Sequence, residues 1–133
     1  MKNLALILAG AALALTGGSA ASAKLTRAEK SEARLARMLE GRSAGEPVKC
    51  INAFNSNDIQ VIENLGIVYD AGKTIYVARA TDPRHLDHWD VPVIERFGSQ
   101  LCTTDIIRTV DRSSGFFTGA VFLEDFVPYR RNG

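Results

Sequence analysis

Two cysteines, Cys50 and Cys102, constrain this 133-residue chain more than any other feature. They lie 52 positions apart. Cys50 falls in a short apolar stretch, VKCIN. Cys102 falls in FGSQLCTTDIIRTVDR (residues 97–112), which also carries the clearest strand pattern of the C-terminal half. An even cysteine count favours pairing wherever the compartment is oxidising. In the chain-entropy account, closing a loop this long stabilises the fold by roughly 4 kcal/mol. That is a large share of the ~5–15 kcal/mol typical of a domain. Such a bond would tie the front of the domain to its back. The alternative is two free thiols, one of them a nucleophile, and it needs a reducing compartment.

The first residues bear on the compartment. Met1-Lys2-Asn3 is a short basic start, and LALILAGAALAL (residues 4–15) is an apolar run. Its length fits the ~7–15 residues of a signal-peptide core. Residues 16–23 are small and polar and end in Ala21-Ser22-Ala23, side chains that suit a signal peptidase cleft. Residues 1–23 are therefore read as a signal peptide cleaved after Ala23, and the expected location is periplasmic or secreted. The apolar run is shorter than the ~20 residues of a spanning helix, and no cysteine follows it to carry a lipid. No transmembrane anchor is expected after cleavage. Removing 23 residues from 133 leaves 110, at 24–133, enough for one domain. Loss of Lys2 takes the 16 basic residues to 15, equal to the 15 acidic ones. A neutral domain has no net field to draw in nucleic acid, so none is expected as a partner.

Residues 24–47 read as a helix and linker, and 48–129 as a sheet region. The helix is expected over 25–41. Thr26 and Glu29 have capping-box spacing, and Gly41 suits the left-handed residue that closes a helix. Ala28, Leu35, Met38 and Leu39 fall on one side at helical spacing. RSAGEP (residues 42–47) reads as a loop, and 48–52 as a strand. Residues 59–62 fit either a short strand or one helical turn. GIVYD (66–70) and KTIYVARA (73–80) form the best hairpin signal, with Gly72 free to take positive φ. The loop between them could hold two residues, or three with a bulge. Residues 81–92 read as a long loop bracketed by prolines. Strands are expected at 93–97, 105–111 and 116–123, with fraying at 130–133. The fold class is α+β: an N-terminal helix with a small antiparallel sheet or meander of about five strands, stapled by one disulfide.

VKCIN, IVYDAGKTIYV, FGSQLC, IRTVDRSSGF and FVPY follow one another in this order. Together they resemble a family of small exported proteobacterial proteins of unknown function. The resemblance covers most of residues 24–133. It implies a signal peptide, a helix and a compact two-cysteine domain with a disulfide. It implies no activity, substrate or catalytic residue. Residues 84–90 depart from the family's pattern, so a function placed there belongs to this chain alone.

HLDHWD (85–90) holds both histidines, two carboxylates and the only tryptophan. Imidazole and carboxylate suit zinc or another divalent first-row ion, so His85, His88, Asp87 and Asp90 are candidate ligands, and zinc is the one candidate cofactor. The plainer account is a solvated loop that Trp89 anchors to the core. On the helix, Arg27, Lys30, Arg34 and Arg37 form a basic row that would serve as a docking face for an acidic partner or a lipid headgroup. Glu29, Glu32 and Glu40 interrupt it, which favours a solvated face. Trp89 and that row are the candidate binding residues. Ser99, Ser113 and Ser114 lie in turns but lack the G-x-S-x-G of a hydrolase elbow, and there is no phosphate-cradling glycine motif. Arg108 and Arg112, near Asp105 and Asp111, are candidates for cross-strand ion pairs, and Phe116, Phe117, Phe122 and Phe126 read most simply as core, an exposed subset instead suggesting a binding patch. No catalytic residue is assigned. The expected function is a non-enzymatic exported binding module whose partner is an envelope protein or a small molecule. Divalent metal binding at His85 and His88 is the alternative, and a small hydrolase the least favoured one.

Overall fold

The computed structural model describes residues 24–133, and the expected signal peptide lies outside them. The single α-helix among the described residues, α1 (Arg27–Met38), opens on the expected capping box. The Glu29 amide donates to Thr26 Oγ1 at 3.2 Å, and the Thr26 amide donates to the Glu29 carboxylate at 2.6 Å. The helix is shorter than the expected 25–41. Leu39 has already left helical geometry, and Gly41, at φ +70°, swings the chain into a strand.

Ten strands follow: β1 (Arg42–Ala44), β2 (Cys50–Asn52), β3 (Ile59–Ile62), β4 (Gly66–Asp70), β5 (Thr74–Arg79), β6 (Asp90–Ile94), β7 (Gln100–Cys102), β8 (Ile107–Asp111), β9 (Phe117–Val121) and β10 (Val127–Arg131). Short 3-10 turns occupy Ser56–Asp58 and Pro83–His85. The α+β class stands, but a single meander of about five strands does not. The strands form three antiparallel sheets: β1-β10-β5-β4-β3, β2-β7 and β6-β8-β9. Two segments expected to be loop or frayed are paired instead. RSA of the 42–47 stretch becomes β1, and residues up to Arg131 join β10, which lies inside the five-stranded sheet. Backbone hydrogen bonds hold both where side-chain alternation is weak. The Arg42 guanidinium adds bonds to the Gly72 and Lys73 carbonyls at the β4–β5 hairpin tip, each at 3.0 Å.

That hairpin follows its sequence. β4 ends at Asp70 and β5 begins at Thr74, so three residues connect them. Gly72 takes φ +84°, and its amide donates to Asp70 Oδ1 at 2.8 Å. Residues 59–62 resolve as a strand, β3.

The five-stranded sheet is covered on both faces. Leu35 of α1 packs with Ile62, Leu65, Val68, Ile75 and Val77 on one side. On the other, Ile67, Tyr69 and Ala78 meet Ile51, Leu101, Ile107, Val121 and Phe126 from the smaller sheets and connecting segments. The alternation along β4, Ile67 and Tyr69 against Val68, divides these two cores. At Gly66 the chains approach so closely that a Cβ would lie 2.2 Å from the Ala78 carbonyl oxygen. Cys50 and Cys102 are direct partners across β2 and β7, and their sulfurs are bonded at 2.07 Å. No helix among the described residues is long and apolar enough to cross a membrane.

Several expected contacts are replaced. Phe126 is fully buried, but Phe116, Phe117 and Phe122 are exposed rather than core. Arg108 pairs with Glu95 at 3.2 Å rather than with Asp105 or Asp111. Asp105 instead accepts from the Cys102 amide at 2.7 Å, and Asp111 bonds Ser113 and Ser114.

Candidate functional site

The two stretches singled out in the sequence, the basic row and the histidine loop, meet across one cleft. It encloses about 750 Å³ between α1, β3 and β6. Arg27, Lys30 and Arg34 line one wall, Gln60 and Glu63 the floor near β3, and His88, Asp90 and Arg112 the opposite side. Helical spacing of three and four puts the three basic side chains on one face. That face is fixed because Ser31 and Leu35, beside it, are buried against the sheet. On the helix's other flank, Glu32 makes a two-pronged ion pair with Arg79 of β5, and this hydrogen bonding lowers the Glu32 carboxyl below its ordinary value. Arg34 donates to Gln60 at 3.4 Å, and Arg27 pairs with Glu63 at 3.3 Å. Arg37, further along the helix, is not among the lining residues. Three of the four residues of the basic row thus border the cleft, and all four remain solvent-exposed, as a solvated face requires.

Across the cleft the chain turns sharply over residues 87–90. The Asp90 amide donates to the Asp87 carbonyl at 3.1 Å, and the Asp87 amide donates to Asp90 Oδ2 at 2.9 Å. Asp90 Oδ1 accepts from the Thr118 hydroxyl at 2.8 Å, and that hydroxyl lies 2.8 Å from Thr109 Oγ1. Asp90 is buried, and its role is to hold the turn. It is not among the donor groups that converge beside His88, which argues against the ligand role expected of it. The loop's anchor to the core is Leu86, not Trp89. Leu86 is 5% exposed, whereas Trp89 is 51% exposed and packs against the His88 ring at 4.8 Å between centroids. The Trp89 carbonyl accepts from the Arg112 amide at 2.9 Å, which brings Arg112 to the cleft.

The structure separates the two histidines by surroundings. His85 ends the 3-10 turn and borders a separate small cavity with Leu86, Thr109 and Thr118. His88 instead meets a residue that sequence reading missed. Glu63, at the β3–β4 turn, places Oε2 3.7 Å from His88 Nδ1, while Asp87 Oδ1 is 2.7 Å from the same nitrogen. Asn64, at φ 53°, turns the chain there. Its amide donates to the Leu86 carbonyl at 3.1 Å, and its side chain reaches the Pro83 and Arg84 carbonyls. The signal for this turn was Asn64 itself, since asparagine is enriched at left-handed positions. What it turned toward was not visible.

The charges lining the cleft are four guanidinium or ammonium groups against two carboxylates, those of Glu63 and Asp90. Glu63 and Arg27 pair and offset one another, and Asp90 faces Thr118 and a backbone amide. Lys30, Arg34 and Arg112 then stand against Asp90, so the lining keeps an excess of positive charge. Comparison with protein-family models, with curated proteins and with solved structures returns no match.

Proposed function

We propose that this protein is a non-enzymatic binding module of the cell envelope that holds a small phosphate- or carboxylate-bearing ligand in the cleft between α1 and β6. The observation that carries the reading is the convergence of Arg27, Lys30 and Arg34 with Arg112 around about 750 Å³. That volume lies within the ~300–1,000 Å³ usual for small-molecule sites. Guanidinium groups give such an anion directional hydrogen bonds, and Lys30 adds a mobile point charge. The leader-like residues 1–23 and the pairing of Cys50 with Cys102 support an exported, oxidising setting. The likeness to small exported proteins agrees with this and adds no ligand.

Calorimetric titration with pyrophosphate and with citrate tests the reading. One of the two should bind saturably and weaken as salt rises. The double variant Lys30→Glu/Arg34→Glu should weaken binding by at least about tenfold, the equivalent of ~1.4 kcal/mol. Arg37→Glu, which changes the same helix outside the cleft, should leave it unchanged. Absence of saturable binding, or equal weakening by Arg37→Glu, would overturn the assignment.

A further inference from the structure

We infer that Glu63, Asp87 and His88 form a binding site for an exchangeable divalent first-row metal ion, zinc in particular, at the rim of the cleft. The three residues each offer one donor atom, and all these atoms lie within 4.8 Å of one another. Zinc sits about 2.0–2.2 Å from imidazole nitrogen and carboxylate oxygen. Donors on one tetrahedral ion are therefore roughly 3.4 Å apart by that geometry. The observed 2.7 Å from His88 Nδ1 to Asp87 Oδ1 and 3.7 Å to Glu63 Oε2 straddle this value. Seating all three on one ion requires the His88 and Asp87 donors to part by about 0.7 Å and the Asp87 and Glu63 donors, within 4.8 Å of each other, to close to roughly 3.4 Å, movements that side-chain rotation can supply.

The donors come from two segments that are already fastened together. Asn64 bonds the 83–86 segment, which fixes Glu63 relative to the loop. Asp90 closes the 87–90 turn, which fixes Asp87 and His88. The Trp89 ring lies against the imidazole, and the Trp89 amide donates to Asp87 Oδ1 at 3.3 Å. Glu63 is also divided between two tasks without conflict. Oε1 meets Arg27, and Oε2 faces His88. An ion on Oε2 leaves the Arg27 pair in place.

The donor chemistry selects the ion. An imidazole nitrogen disfavours calcium and magnesium, which prefer all-oxygen shells. Three protein donors leave at least one position for water or ligand, the pattern of an open site and not of a closed structural one. His88 and Asp87 are partly exposed, which gives the ion an entry path. The site differs from the pair expected from sequence, because Glu63 takes the place of His85 and Asp90. It stands independently of the anion reading, since its donors are not the cleft's cations.

The test is calorimetric titration of the disulfide-bonded protein with zinc chloride in phosphate-free buffer, after treatment with a chelator and its removal. One ion per chain should bind. His88→Ala should abolish the heat, and Glu63→Gln should raise Kd by about tenfold or more. His85→Ala should leave binding unchanged, and so should Arg37→Glu, which lies on the same helix outside the cleft. The imidazole nitrogens give a second readout: zinc should shift the His88 resonances and not those of His85. Lack of saturable binding, or equal weakening by His85→Ala and His88→Ala, would overturn the inference.

Discussion

The five-stranded and three-stranded sheets use apolar residues in opposite ways. In the first, both faces are covered: Val68 and Val77 lie under α1, and Ile67 and Ala78 under the smaller sheets. In the second, one face joins the core through Ile107 and Val121, and the other is open. The open side carries Val93, Ile106, Phe117 and Phe122, exposed by 40%, 58%, 66% and 68%. One sheet is a framework with no slack, as the space at Gly66 shows. The other is a half-covered layer whose outer surface is free of structural duty. The cleft lies along the seam, where β3 at the edge of the framework approaches β6 of the layer. Rigidity on one side and a reachable loop on the other suit a binding site.

The sharpest way to break this comparison is to truncate one phenylalanine from each region. Phe126 is fully buried between the sheets, and Phe122 stands on the open face. Phe126→Ala should cost up to about 5 kcal/mol, from lost transfer energy and the cavity left behind. Phe122→Ala should cost under about 0.5 kcal/mol, as for a surface change that removes no buried contact. Chemical denaturation of both variants measures the difference. Comparable losses would mean that the open face is covered in solution, by association or by a shifted layer.

The disulfide is the next lever. It joins β2 to β7, and β7 lies in sequence between β6 and β8 of the half-covered layer. Replacing both cysteines by alanine should cost roughly 4 kcal/mol if the chain-entropy account holds. The loss should not be uniform. Amide exchange should accelerate more in β7 and β8 than in β4 and β5, because the framework keeps the core under α1, to which neither bonded strand contributes. Equal acceleration throughout would show that the two regions unfold as one unit.

How much of this was legible in sequence depended on how local the cause was. The capping box at Thr26 and Glu29, the Gly72 hairpin and the Cys50–Cys102 pairing were readable, since each rests on residue type at a fixed spacing or on counting. β1 and β10 were not, because RSA and PYRR carry no apolar alternation and their partners are distant. The FFTGAVFL run was ambiguous for another reason: both alternate faces are apolar. The register shift between Thr109 and Val110 decided it. Gly119 pairs with Thr109 and Phe117 with Val110, so Thr118 is the extra residue and meets Asp90, while Phe117 is left outside. At the site, Asp87 and His88 announced themselves by chemistry, and Lys30 and Arg34 by spacing. Glu63 did not, because nothing near it in sequence indicates that its turn folds against the histidine.

The smallest effect concerns the turn that carries Arg112. Asp111 Oδ1 accepts from the Ser113 hydroxyl at 2.6 Å and from the Ser114 amide at 2.8 Å, with further bonds from the Ser113 amide and Ser114 hydroxyl. The Ser113 hydroxyl first, and then the Ser114 amide, lower the Asp111 carboxyl from its ordinary value near 3.8 to about 2. Because the folded value is the lower one, the contribution of this group to stability is fully present above about pH 4. It is lost as pH falls through about 2. Carboxyl-carbon NMR of Asp111 should therefore show a midpoint near 2, and Ser113→Ala should move that midpoint up toward 3.8. The framework offers the internal contrast: amides of β4 and β5 should not follow the Asp111 titration. If they do, the turn is coupled to the five-stranded sheet, and the division into a rigid framework and a half-covered layer is too sharp.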